Sequence, residues 1–155
     1  MSKLTVEVDR ALAAGDKKVN GFKGAVRNLE TVLVQGDEFT MPDDYTDKVY
    51  EQKLAGGTAQ YIFVETTKGE VRKLYPSVFT KRRVVVDDND VVTTEYKSTD
   101  GTAADTFKSE GSVEKAMNAL AGKTLVVSKV TPFRTTAFGR PGEVVNTNVY
   151  TIDIK

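Results

Sequence analysis

Lys68, Arg72, Lys73, Lys81, Arg82 and Arg83 fall in one short stretch with Glu70 as the only acid among them. Lys123, Lys129, Arg134 and Arg140 occupy a second stretch that meets no acid until Glu143. Aromatic residues are interleaved with both, Tyr75 and Phe79 in the first, Phe133 and Phe138 in the second. Lysine and arginine neutralise phosphates, and an exposed aromatic face stacks on a base for about 1–3 kcal/mol. Single-stranded nucleic acid is the partner that uses both together. The candidate contact residues are therefore Arg72, Lys73, Tyr75, Lys81, Arg82, Arg83, Lys129, Arg134, Phe138 and Arg140. The same pattern also has a plain structural reading, with Phe79 and Phe133 in the core and the cations on a solvated strand face.

Other chemistry is poorly served. The chain has no cysteine and no histidine, which removes thiol catalysis, disulfides, thiolate metal sites and the commonest general base. No nucleophile–base set is visible, so no enzyme and no cofactor are expected. Gly56-Gly57 is followed by Thr58 without the lysine of a phosphate-binding loop. Asp87, Asp88, Asn89 and Asp90 offer oxygen ligands but lack the spacing and glycine of a calcium loop, and read as a turn. Asp43, Asp44 and Asp47 read as part of a solvated loop, so no metal is expected. Positive and negative residues balance at 22 each, so any attraction to a polyanion must come from local segregation of charge.

The elements that must position these residues are clearest at the C-terminal end. Ser112 can cap a helix on which Val113, Ala116, Met117 and Leu120 share a face, and Gly122 ends it, which predicts a helix over residues 112–121. Two β-rich runs follow, 123–136 and 144–154, joined by a glycine- and proline-containing loop at 137–142, so they are expected to form a hairpin. Upstream, residues 59–66 read as a central strand buried on both faces, with Tyr61 and Phe63 pointing one way. Residues 70–75 return as its partner, with Pro76 at the strand end. Residues 79–86 and 91–96 are expected to pair across the acidic turn.

The remaining stretches are less regular. Leu4, Val6 and Val8 alternate as in a short strand, and residues 9–14 suit a helical turn ended by Gly15. Phe22, Val26 and Leu29 fit one helical face, giving an N-terminal helix that passes into a strand near Glu30. Gly36-Asp37 is expected to turn between strands at 31–35 and 38–41. Residues 42–57 read as a polar connection and 97–111 as a long loop. The fold class expected is α+β, mostly β. It takes the form of an antiparallel OB-like barrel or a sandwich, with one helix before the last two strands, in a single domain of 155 residues.

From about Thr31 to the end this element order resembles phage-type OB-fold single-stranded-DNA-binding proteins, a resemblance of topology that includes no residue-level signature. The resemblance implies a non-enzymatic protein that grips single-stranded DNA, with RNA as the lesser choice, partly through the loop between its last two strands. The bacterial type ends in a flexible acidic tail. Here Tyr150-Thr151-Ile152-Asp153-Ile154-Lys155 reads as a strand, so recruitment of partners by such a tail is not expected. The alternative is a phage virion structural or assembly protein acting through protein–protein contacts, as a homo-oligomer or with other virion proteins. No apolar run approaches the roughly 20 residues that cross a bilayer. Glu7, Asp9 and Arg10 interrupt what would be the apolar part of a secretion signal. The expected location is the cytoplasm, that of the host if the protein is phage-encoded, or the virion under the alternative.

Overall fold

A computed structural model describes residues 2–22, 31–54, 57–80, 82–97, 99–108, 110, 112–137 and 140–155, with side chains at all of these except 77, 82, 83, 93–97, 137, 140 and 141. Among the described residues the architecture is mostly β, with three α-helices and a single 3₁₀ turn at Pro76–Phe79. One sheet runs β1 (Lys17–Val19), β3 (Val49–Leu54), β4 (Gly57–Glu65) and β5 (Val71–Leu74), all antiparallel. The other runs β2 (Glu38–Thr40), β9 (Thr124–Ala137), β10 (Arg140–Ile154) and β8 (Thr99–Asp100), with β8 parallel to β10. A separate hairpin, β6 (Arg82–Val86) with β7 (Val92–Lys97), packs against β9.

The core lies between the two sheets. Val49, Ile62, Val64 and Leu74 from the first meet Phe39, Leu125, Val127, Tyr150 and Ile152 from the second. Two short helices close over them, α2 (Thr102–Phe107) through Phe107 and α3 (Val113–Ala119) through Met117, with Leu120 at its C-terminal cap. α3 forms where the apolar spacing predicts it. Ser112 Oγ accepts the Lys115 N–H at 3.2 Å, and Gly122 takes φ 71° past the helix end. The positive φ is what favours glycine here: a Cβ at Gly122 would stand 2.5 Å from Asp43 Oδ1, but that oxygen ends an exposed side chain that can turn away.

β4 is buried on both faces as its sequence indicates, and it is flanked by β3 and β5. The terminal hairpin is longer than expected. β10 begins at Arg140, inside the anticipated loop, and pairs back along most of β9, with a register shift between Thr151 and Ile152.

Four expectations are corrected. Residues 4–8 belong to a helix, α1 (Lys3–Ala13), capped by Ser2 Oγ accepting the Thr5 N–H. Leu4, Val8 and Ala11 supply its inward side, and Val6, which the alternating reading placed with them, is exposed. The polar connection contains β3, whose Glu51 looks like a loop residue but stands between Lys17 of β1 and Gln60 of β4, and whose Gln52 pairs with Ala59 of β4. The long loop at 97–111 contains β8 and α2. Residues 31–34 join no ladder. Leu33 is buried and Val32 and Val34 are exposed, and the segment is held by the Thr31 Oγ1 bond from Tyr75 N–H and by Tyr150, whose hydroxyl donates to the Thr31 carbonyl. The helix expected around Val26 and Leu29 lies outside the described residues. Among the described helices none is long and apolar enough to cross a membrane.

Candidate nucleic-acid interface

The candidate residues separate by what holds them. Arg72 is committed to an internal ion pair. Its Nε donates to Asp37 Oδ2 at 2.9 Å and its Nη2 to Oδ1 at 3.2 Å, both side chains being largely covered. Asp37 Oδ2 also accepts the Val34 N–H, so this pair fastens the 35–37 turn onto β5. The bonded carboxylate holds the Arg72 guanidinium above its ordinary pKa, against the opposing effect of burial. Lys73, the next residue, points to the opposite face, with Nζ 4.7 Å from the centre of the Tyr61 ring.

Tyr75 is buried. Its hydroxyl donates to Gln52 Oε1 at 2.7 Å, and burial pushes its pKa up to about 12. It therefore offers no open ring for stacking. Phe79 is buried too, edge-on to Phe107 at 5.3 Å, in agreement with the structural reading of that residue.

Lys129 is exposed on β9, opposite Thr151. Arg134 lies further along the same strand and pairs with Asp90, which sits at φ 61° in the β6–β7 turn. Asp87 shapes that turn by accepting the N–H groups of Asn89 and Val91, each at 2.9 Å. Arg82 and Arg83 stand opposite Lys97 and Tyr96 in the β6–β7 ladder, and Arg140 opposite Ala137 at the distal end of β10. For these three arginines the backbone position is described. Lys81 and Phe138 lie outside the described residues.

β6 packing on β9 makes neighbours of the two basic segments that are far apart in the chain. The acidic residues upstream are engaged locally. Asp44 Oδ1 accepts the Thr46 N–H at 3.0 Å and its hydroxyl at 2.7 Å, which holds its carboxyl below its ordinary value, and Asp47 pairs with Lys48 at 3.0 Å. Among the described residues no three carboxylates gather as a metal site would need.

One cluster was not anticipated. In the β3–β4–β5 register Tyr50 faces Tyr61 and Phe63 faces Lys73, so these side chains and Tyr75 share the outer face of the sheet. The Tyr61 ring centre is 5.9 Å from Tyr50, 5.2 Å from Phe63 and 5.5 Å from Tyr75. Tyr61 is fully buried and donates to Asp16 Oδ2 at 2.5 Å, whereas Tyr50 and Phe63 are half-buried. Burial, and then that bond, raise the Tyr61 pKa far above its ordinary value. The alternation of Tyr61 with Phe63 was visible in the sequence, but Tyr50 lay in the stretch taken for a loop. Set against protein-family models, curated proteins and solved structures, the chain matches none of them.

Proposed function

We propose that the chain is a non-enzymatic single-stranded nucleic-acid binding protein, for DNA before RNA, on an OB-like arrangement of its strands. The observation that carries this reading is the packing of β6 on β9, which groups Arg82 and Arg83 with the strand that bears Lys129 and Arg134. A run of cations on adjacent strands suits a flexible phosphate backbone. The OB-like part rests on element order, with α3 standing immediately before the two last strands. Lys73, Arg82, Arg83, Lys129, Arg134 and Arg140 are the phosphate contacts in this reading, with Lys81 and Phe138 beside them. Arg72 and Tyr75 leave the set because the fold already uses them.

The test is charge removal at Arg83 and Lys129, singly and together, with labelled oligo-dT titrated across a salt series. Each Ala variant is expected to weaken binding alike for every base composition and to lower the salt slope by about 0.7. Slopes equal to that of the parent would remove these residues from the contact surface. A second reading, a virion structural or assembly protein, is favoured by exposed apolar side chains at the hairpin ends. Val91, Val92 and Val144 are 52%, 58% and 41% exposed. That reading predicts concentration-dependent assembly without any response to oligonucleotide.

A further inference from the structure

α1 packs against β5, the edge strand of the first sheet, and borders a cleft that Tyr50 and Phe63 help to line. Its seating is slight. Ala11 is the one buried side chain of the helix among the described residues, and Leu12 is 48% exposed. Leu4 and Val8 point inward, yet they line an open cleft of about 550 Å³ whose other side includes Tyr50 and Phe63. At its N-terminal end the helix is tied by Lys3 to Glu70 at 2.7 Å, an exposed pair of the kind that contributes little. At its C-terminal end Gly15 takes φ 98° and Asp16 holds Tyr61. An eleven-residue helix is marginal without packing, so this one can leave its place at small cost.

The cleft is lined by three aromatic residues, Phe39, Tyr50 and Phe63, and by aliphatic side chains, with Lys18 and the Asp47-paired Lys48 among its lining against a single acid, Glu65. Flat apolar walls beside cations complement a planar base that carries a phosphate. We propose that this cleft is a base-stacking site and that α1 is its movable cover, turning about Gly15 when a single strand enters. The site adds to the strand path already proposed and rests on that reading.

The chain contains no cysteine, so a lock can be introduced by replacing Lys3 and Glu70, whose side chains meet at their tips, with cysteines and joining them by a bifunctional thiol crosslinker long enough to replace the two lost side chains. Crosslinked and uncrosslinked forms of the same Lys3→Cys, Glu70→Cys preparation are then titrated with labelled oligo-dT. A cover that is open in a minor fraction of molecules predicts that the crosslinked form binds at least about tenfold more weakly. Equal affinity in the two forms overturns the proposal. Ala11→Glu, which places a charge in the helix's buried contact, supplies a second variant and is expected to bind more tightly than the parent; unchanged affinity in a folded Ala11→Glu protein overturns it as well. Hydrogen exchange on the ligand-free parent separates the two ideas. If the parent binds no oligonucleotide, the single-strand reading falls and the base site with it. The moving cover then stands if the α1 amides exchange well before those of β9 and β10, and falls if they exchange together.

Discussion

Arg72 and Lys73 are neighbours with opposite employment. One residue along a strand reverses the face, so the guanidinium reaches the covered Asp37 while the ammonium reaches the Tyr61 ring. The basic run was legible as a run, but which of its members the fold consumes was not. The deciding partner, Asp37, lies in a turn 35 residues earlier, and no local spacing points to it. Arg72→Ala is expected to cost about 1–3 kcal/mol of stability, because Asp37 is left covered without its partner. Oligo-dT affinity and its salt slope should stay as in the parent. Lys129→Ala should do the reverse, with an unchanged melting temperature and a smaller slope. Chemical denaturation and anisotropy on the two variants check both, and a fall in slope for Arg72→Ala would return that residue to the contact set.

At the scale of elements, α3 and the last two strands could be read because cap, apolar spacing and stop signal agree within a few residues of one another. Leu120→Ala should cost about 2–5 kcal/mol, since its side chain is fully enclosed, and a melting curve shows it directly. α2 could not be read in that way. Gly101 offers no capping side chain, and a Cβ there would meet the Ile152 carbonyl at 2.5 Å. The cap comes instead from Asp153 on β10, whose Oδ1 accepts the Thr102 N–H at 3.1 Å. Its other oxygen accepts from Ser128 Oγ at 2.9 Å. A helix completed by a residue that far along the chain leaves little local trace.

The same bonds, that of Thr102 N–H foremost, hold the Asp153 carboxyl below its ordinary value of 3.8. A depressed carboxylate stabilises the fold at and above its unfolded pKa, and the contribution is lost as pH falls through the folded value. The melting temperature of Asp153→Asn should therefore lie below that of the parent at neutral pH, and the gap should close as pH drops below 3.8. A gap independent of pH would show that the carboxylate's charge is not what matters. β3 was hidden for a related reason. Its polar residues describe a strand enclosed by two neighbours only once β1 and β4 are in place.

For the whole molecule, equal numbers of cations and acids mean that no long-range field selects a polyanion. The fold acts by sorting. Acids are bonded into turns at Asp44 and Asp87 or paired at Asp37 and Asp47, while β6 and β9 bring basic residues together. The mostly β architecture with a helix before its final hairpin was legible from the downstream sequence. The division into two four-stranded sheets was not, because it depends on the short strands β1, β2 and β8, whose pairing is set by long-range contacts. The measurement that bears most directly on the proposed function is anisotropy of labelled oligo-dT with the unmodified protein at about 50 and 200 mM salt. The six phosphate contacts named above predict binding at the lower salt that weakens by about three-hundredfold at the higher. No binding at either salt, or the same affinity at both, would contradict the account.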